Sequence, residues 1–482
     1  MQWSKYNKFF KSKKFGGFLY NSLSNSFFEL KQELYDVLSV KSEDIVGLLN
    51  EIDPELKKDL LDKKILVNEF DEELELQRQR FVRDSGRFSN KELALTIAPT
   101  LACNFKCPYC VQHVDGDKIM SDETVENLLN FIKNRKPVNL SVTWFGGEPL
   151  LAFDKIMEIN EKLNQLDVKF SKSSMITNGY LLTKEKVDKL KELNINFLQI
   201  TIDGTKELHD KRRILKDGRG SYDVIMQNME YLMDNWDGNC SVRMNLDKTN
   251  TGCYVEEKKK IEERFKGKKL SVYCHYVFTS PETNPDVGCQ LRLNEWTDFT
   301  LDLLKKEKIV PSHSVYPSRM DFSSCQANSA NGFVIGSKGE IYKCWEDVGN
   351  KKAEVGNVNN DKDKIFTNQD LIIQYALGAD NSENEECKQC FCFPVCGGGC
   401  VYFRYMNKYH GTNFDLCSRY KNRLIESLEL FYDIIMDKII RDFVIEGKGE
   451  LVPSKGYRIL SGMKFDKEDK ENTEEKSKNI NT

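Results

Sequence analysis

The 482-residue chain balances 71 basic against 75 acidic side chains, a formal net charge of −4, with 40% hydrophobic and 30% charged residues. This is the composition of a globular protein, and its interspersed signs exclude the one-signed field that draws proteins to nucleic acid or an anionic membrane. No stretch approaches the roughly 20 uninterrupted apolar residues of a membrane span, and the basic start MQWSKYNKFFKSKKFGGF lacks the apolar core of a secretion signal, so a cytoplasmic protein is expected.

Residues 1–90 hold no clustered cysteine and read as a first unit. GGFLYNSLS predicts a hairpin, FFELKQELYDVL and KSEDIVGLLNEI short amphipathic helices, and DPELKKDLLDKKILV a helix started by Asp53 and Pro54 that runs into a strand. A small strand, helix and wing unit of this kind is too light for catalysis and is expected to hold a partner.

From residue 93 the pattern alternates strand and helix. LALTIAP is followed by SDETVENLLNFIKN, with Val125, Leu128, Leu129 and Ile132 on one face, then by NLSVTWF, FDKIMEINEKLNQ, KSSMITN, TKEKVDKLKELN, NFLQITID, SYDVIMQNMEYLMDN, CSVRMNLD, VEEKKKIEERF and LSVYCHYVF. That order is an α/β repeat, which right-handed crossovers curl into a parallel barrel or part of one, with chemistry at the C-terminal strand ends. After about residue 300 cysteine, glycine and short turns take over. KNRLIESLELFYDIIMDKIIRDFV predicts a closing helix, and the polar end KFDKEDKENTEEKSKNINT a disordered tail, the two covering 431–482.

Fifteen cysteines in a reducing compartment argue for metal or redox chemistry rather than disulfides. CNFKCPYC follows the first strand of the repeat and stops at three thiols, Cys103, Cys107 and Cys110. Three thiolates can hold a 4Fe-4S cluster and leave one iron open to a reactant; the alternative is structural zinc with His113 as fourth ligand. Cys240, Cys253, Cys274, Cys289 and Cys392 lack meaningful spacing and read as buried small hydrophobes.

The CxxxCxxC spacing, with Tyr109 before the last cysteine, resembles the signature of radical S-adenosylmethionine (radical SAM) enzymes. The resemblance implies a partial (β/α)6 TIM barrel over 91–300 and a cluster whose open iron binds S-adenosyl-L-methionine, from which a 5′-deoxyadenosyl radical is released to abstract hydrogen. Gly146, Gly147, Glu148 and Pro149 match the family's GGEP motif, assigned to the cofactor ammonium; paired glycines let carbonyls approach a cation, and the carboxylate adds charge. Thr177 and Asn178 resemble the ribose or carboxylate contact, and Asp203, Arg213, Arg243 and Asn245 fit the following strand ends, with Arg213 assigned to the cofactor carboxylate.

Cys325, Cys344, Cys387, Cys390, Cys396, Cys400 and Cys417 match the SPASM domain, placed at 301–430, and imply two auxiliary 4Fe-4S clusters, three in all. Zinc ribbons also use CxxC pairs. By positional transfer Cys387, Cys390, Cys396 and Cys417 complete the distal cluster, while Cys325, Cys344 and Cys400 leave the nearer one short of a ligand. Cys392, Cys289 or another residue fills that place, or the iron is open to a substrate thiolate.

SPASM-bearing relatives mostly modify peptides, and residues 1–90 resemble the PqqD-like winged helix-turn-helix element that binds a leader peptide by strand addition; a packing domain or dimer contact is the alternative. The resulting expectation is a maturase that crosslinks a ribosomally made precursor peptide by a thioether or carbon-carbon bond, fed by an external low-potential donor of flavodoxin or ferredoxin type. The alternatives are an anaerobic sulfatase maturase forming formylglycine and an iron-sulfur electron carrier or binding protein. His209 and His113 read as structural or solvated.

Overall fold

The structure, a computed structural model, describes residues 1–40, 47, 52–110, 118–277, 289–309, 315–320, 325–417, 419–446, 453 and 455–461. His113, nearly all of the KSEDIVGLLNEI segment and the tail from residue 464 lie outside the described residues.

Strands β1 (Gln2–Trp3), β2 (Asn7–Ser12), β3 (Gly16–Asn21) and β4 (Ser26–Leu30) open the chain, and β2, β3 and β4 form an antiparallel meander. Side chains alternate across a strand, so this sheet has two apolar faces. Leu19, Phe28 and Leu30 pack with Tyr35, Leu38, Leu56 and Leu60 of the helices Gln32–Ser39 and Pro54–Asp62. Phe10, Phe18, Tyr20 and Phe27 pack instead with Leu424, Leu428, Phe431 and Tyr432 of the long helix Arg419–Glu446. FFEL is therefore strand rather than helix: consecutive Phe27 and Phe28 serve opposite cores, which only an extended backbone allows. The Pro54 helix is capped as its sequence predicts, the Asp53 carboxylate accepting from Glu55 and Leu56 N–H at 2.8 and 3.2 Å. It runs into β5 (Leu66–Val67), which pairs with β1.

Next comes the helix Asp71–Arg87, whose buried positions are polar, Gln79, Arg83 and Arg87, while Leu74, Phe81 and Val82 are exposed. Its buried Arg83 and Arg87 reach Asp380 in the cysteine-rich region, at 2.8 and 2.7 Å.

Six strands follow: β6 (Glu92–Ile97), β7 (Asn139–Trp144), β8 (Lys169–Thr177), β9 (Ile195–Thr201), β10 (Asn239–Leu246) and β11 (Leu270–Tyr276). All are parallel and lie side by side in chain order with helices between them. The sheet then continues past β6 into the cysteine-rich region. There β12 (Gly332–Ile335) pairs parallel with β6, followed by antiparallel β13 (Glu340–Tyr342) and β14 (Gly356–Asn357), giving nine strands in one mixed sheet. A second departure is β15 (Tyr457–Ile459), which pairs with β4 and makes the amino-terminal sheet four-stranded. The stretch between the closing helix and the polar end thus contributes a strand.

Burial raises the Asp380 carboxyl, but hydrogen bonds from Ser382 and the charges of Arg83 and Arg87 outweigh it and hold the group at about 2. A carboxyl held below its unfolded value near 3.9 contributes its full stabilisation above that pH and loses it as pH falls toward about 2. Asp380→Ala strands two buried guanidinium groups, so the free energy of unfolding at neutral pH should drop by about 3–5 kcal/mol, read from the urea midpoint. The deficit should narrow as the pH is lowered through that window, and a loss below about 1 kcal/mol at neutral pH would show the ion pairs to be energetically idle.

Candidate functional site: the C-terminal edge of the sheet

The loop after β6 carries Cys103 and Cys107, both half-buried, and exposed Cys110. Its shape is set by two neighbours. On one side Phe105 bridges to Leu215, Lys106 N–H donates to the Ile214 carbonyl at 2.9 Å, and Lys216 N–H donates to the Asn104 carbonyl at 3.0 Å. On the other side Gly147 N–H donates to the Thr100 carbonyl at 3.3 Å and Glu148 N–H to the Ala102 carbonyl at 2.8 Å. A Cβ on Gly146 would stand 2.2 Å from the Thr100 oxygen, and one on Gly147 2.3 Å from that of Ala102. Gly146 also has a φ of +129°, which disfavours any other residue. The two glycines are thus needed for contact between this loop and the cysteine loop.

Glu148 has no exposed surface. One carboxylate oxygen accepts from Thr177 Oγ1 at 2.7 Å and Leu150 N–H at 3.0 Å, the other from Asn178 N–H at 2.8 Å. Burial raises its pKa against those three bonds. A carboxylate has about four acceptor positions, so one is left for a further donor. Pro149 starts the short turn that follows, and Asn178 Nδ2 donates to Asn104 Oδ1 at 2.8 Å inside the cysteine loop.

Beyond β9 and β10 a second network gathers around Tyr109. Its hydroxyl donates to the Asp203 carboxylate and accepts from Arg213 Nη1 at 2.6 Å and Asn245 Nδ2 at 3.4 Å. Asp203, fully buried, also accepts from Asn245 N–H at 3.1 Å, while Arg243 Nε donates to Asn245 Oδ1 at 2.9 Å. Burial pushes the Tyr109 phenol up, and Arg213 stays charged because Tyr109, Cys107 and Asp203 overcome its own burial. His209, also fully buried, is structural as expected: its Nδ1 accepts from Asp203 N–H at 3.2 Å, leaving Nε2 to donate to Ser221 Oγ at 3.0 Å. Burial, then the charge of Arg213, lowers its pKa to about 3, so the ring is neutral.

Two buried donors beside the triplet, Arg213 Nε and Asn104 Nδ2, have no hydrogen-bond partner. With three converging thiols and the fourth acceptor position of Glu148, they form a set that fits a ligand carrying both an ammonium and a carboxylate. Burial raises the Cys103 thiol to about 12, with Glu148 and the other two cysteines adding to the shift despite a bond from Phe105 N–H; a cationic centre is what such a site needs to hold thiolates.

The carboxyl-terminal cysteines separate into two groups. Cys387, Cys390, Cys396 and Cys417 line a single cavity with Arg404 and Lys421. Arg404 Nη1 donates to Cys387 Sγ at 3.9 Å and Lys421 Nζ to Cys417 Sγ at 3.4 Å. Cys325, Cys344 and Cys400 make the other group: burial raises the Cys344 and Cys400 thiols, with Cys400 acting on Cys344 and Cys325 on Cys400. This group lies at the mouth of the six-stranded sheet, where the phenol of half-buried Tyr276 at the end of β11 is raised by desolvation and then by Cys400. Cys392 does not join it: it lines the distal cavity, its Sγ 3.5 Å from the Tyr420 carbonyl. Cys289 is exposed, its carbonyl accepting from Lys248 N–H at 2.8 Å. Among the described residues no three His, Cys, Asp or Glu side chains close to the distance a single metal ion requires; thiolates of a cubane bind separate irons and stand wider apart.

Four residues of this edge escaped the sequence reading. Arg212, beside the assigned Arg213, lies 5.1 Å over the Tyr109 ring and pairs with Asp247 at 2.5 Å. Glu346, two residues after Cys344, is raised by burial to about 7 against the opposing charge of Arg243. Arg404 and Lys421 sit four residues after Cys400 and Cys417, a helical spacing that could have flagged them.

Comparison with known proteins defines the class. Residues 97–260 match the family model described as the Radical SAM superfamily, so this stretch is a radical SAM domain. The cysteine-type anaerobic sulfatase-maturating enzyme of Clostridium perfringens (strain 13 / Type A) is 27% identical over 338 residues, 64% of this chain and 88% of that one. Among solved structures, native anSMEcpe with bound AdoMet aligns with a TM-score of 0.54 and 22% identity over 72% of this chain and 98% of that one. Streptococcus suis SuiB bound to precursor peptide SuiA aligns with a TM-score of 0.50 and 17% identity over 87% and 99%. The chain thus has the α/β radical SAM fold with a mixed sheet. No helix among the described residues is long and apolar enough to cross a membrane.

Glu148→Gln replaces one acceptor oxygen by a donor that must face either Asn178 N–H or the Thr177 and Leu150 pair. One buried donor left unpaired costs about 1–3 kcal/mol. The variant should melt lower and bind AdoMet at least about tenfold more weakly in equilibrium dialysis; affinity matching wild type would remove Glu148 from the cofactor seat.

Proposed function

We propose that this protein is a radical SAM maturase that crosslinks a ribosomally made precursor peptide, forming a thioether or carbon-carbon bond after hydrogen abstraction. The observation that carries the reading is the amino-terminal unit, a small antiparallel sheet flanked by helices and docked on the cysteine-rich region. Besides the Arg83 and Arg87 ion pairs, Ser22 Oγ donates to the Phe391 carbonyl at 2.6 Å, between Cys390 and Cys392, and Asn25 Nδ2 donates to the Pro317 carbonyl at 2.7 Å. A unit of this form binds an extended peptide by strand addition and would hold a leader close to the cysteine groups.

Cys103, Cys107 and Cys110 would hold three irons of a 4Fe-4S cluster, with S-adenosyl-L-methionine on the fourth. Reduced by an external low-potential donor of flavodoxin or ferredoxin type, the cluster and cofactor would supply the radical chemistry that abstracts hydrogen. The chain's own groups bind and orient: Glu148 and the Gly146 to Pro149 turn take the ammonium, Arg213 Nε takes the carboxylate, and Thr177, Asn178 and Asn104 fix the loop between them. Tyr109, Asp203, Asn245 and Arg243 keep Arg213 aimed. Cys387, Cys390, Cys396 and Cys417 would hold a fully ligated auxiliary cluster, whose sulfurs receive N–H donors from Arg404 and Lys421. Cys325, Cys344 and Cys400 would hold a second with an open iron, and half-buried Glu346 lies next to Cys344 and Cys400.

Formation of formylglycine on a sulfatase is the second reading, favoured by the similarity to the Clostridium perfringens enzyme. The two separate in one assay, in which a leader-bearing precursor and a sulfatase peptide compete for the same reconstituted enzyme and mass spectrometry reports which is modified. Modification of the sulfatase peptide alone would replace the first reading by the second.

After anaerobic reconstitution the protein should hold about twelve irons and as many acid-labile sulfides, and the Cys103→Ala/Cys107→Ala/Cys110→Ala variant about eight of each. Zinc in place of iron would end both readings.

A further inference from the structure

β15 is only three residues long and comes from the far end of the chain, yet it completes the amino-terminal sheet. Tyr457 lies opposite Leu30, Arg458 opposite Glu29 and Ile459 opposite Phe28. Two further backbone bonds extend the pairing: Lys31 N–H donates to the Gly456 carbonyl and Leu460 N–H to the Phe27 carbonyl, each at 2.8 Å. The side chains are read on alternate faces. Tyr457 faces the helix Pro54–Asp62, its ring 6.2 Å from that of Phe28 and its hydroxyl donating to Asp59 at 2.5 Å. Arg458 takes the opposite face and pairs with Glu29 at 3.2 Å. Lys455 reaches Glu55 at 2.6 Å, and Leu460 is fully buried in the aromatic core against the long helix.

This is the anatomy of a docked peptide: backbone bonds to a sheet edge supply attachment, and side-chain pockets supply selectivity. The seat is acidic, with Glu29, Glu55 and Asp59 facing the strand, and it continues at Ser461 into a cavity of about 550 Å³ lined also by Ser26, Asp62, Lys63 and Arg319. The outermost pair, Lys455 with Glu55, is more than half exposed on both sides and adds little. A three-residue strand held this way is a weak structural element.

We infer that the outer edge of β4 is the docking site for the substrate peptide, and that Lys455–Leu460 is a tethered occupant which that peptide displaces. The partner has the chemistry of the occupant: an extended segment with a basic residue, an aromatic two positions on, a second basic residue directly after it and an aliphatic two beyond that. This rests on the peptide-maturase reading for the partner's identity, although the edge and its occupant do not. Because the occupant is on the same chain, its effective concentration is in the millimolar range, and it weakens an outside peptide of the same seat accordingly.

The test uses fluorescein-labelled KGYRILS, the sequence of residues 455–461, titrated into the full chain by anisotropy. Arg458→Pro removes the N–H opposite Glu29 and the guanidinium together, which should release the edge. The variant should bind the probe at least about tenfold more tightly than wild type, and a scrambled peptide should bind neither. Equal affinities, or no binding to the variant, overturn the inference. A second readout needs no variant: saturating probe should speed amide exchange at Arg458 and Leu460 of the wild-type chain, and unchanged protection there makes β15 a permanent strand and sinks the exchange. Neither readout needs iron or AdoMet. An enzyme that binds the probe but modifies no leader-bearing precursor would therefore fail as a peptide maturase while leaving the edge assignment standing.

Discussion

The C-terminal edge of the sheet is indexed to one buried carboxylate. Glu148 accepts from Leu150, Thr177 and Asn178, joining the ends of β7 and β8, while its own N–H and that of Gly147 fasten the cysteine loop after β6. Three successive strand ends are thereby held in one register by a side chain and the backbone on which it stands. Removing the charge from water is costly, and the three accepted bonds offset that cost only while all three strand ends stay in place. The site is in this sense rigid before any cofactor arrives.

The opposite wall works differently. Around Tyr109 the groups form a chain in which each orients the next: Arg243 holds Asn245, Asn245 holds Asp203 and Tyr109, and Tyr109 holds Arg213. His209 anchors the same chain from behind, and its buried, neutral ring leaves Asp203 free to face the arginines. One wall presents acceptors and the other donors, an arrangement suited to a zwitterion lying between them.

Much of this edge was legible in the sequence because its residues sit at strand ends, where motif and secondary-structure period fall together. The Gly146 to Pro149 turn, Thr177 and Asn178, Asp203 and Asn245 are all within a few residues of a strand terminus, and the triplet lies in the loop that follows β6. The packing of Gly146 and Gly147 against Thr100 and Ala102 was not legible, since spacing cannot reveal which backbone fills the space where a Cβ would be. Cys392 shows the converse: it shares a cavity with the distal cysteines, but its side chain belongs to a hydrophobic core. What stayed hidden are contacts between segments far apart in the chain. β12 joins β6, Arg83 and Arg87 meet Asp380, and β15 joins β4. No local pattern announces such pairs, and FFEL was misread for a related reason, its two phenylalanines being divided between cores built by distant helices.

The amino-terminal sheet has one face covered by the helix Arg419–Glu446 and one edge closed by β15. A ribosome delivers the chain from its beginning, so the first strands made are the last to be completed. Until the final segment emerges, Phe10, Phe18 and Phe27 have no cover, and the sheet persists as a sticky, half-built surface. Folding of the nine-stranded sheet can precede that moment, but closure cannot. The nascent protein therefore spends most of its synthesis with its first unit open, a span in which chaperones have access to a surface that the finished molecule conceals.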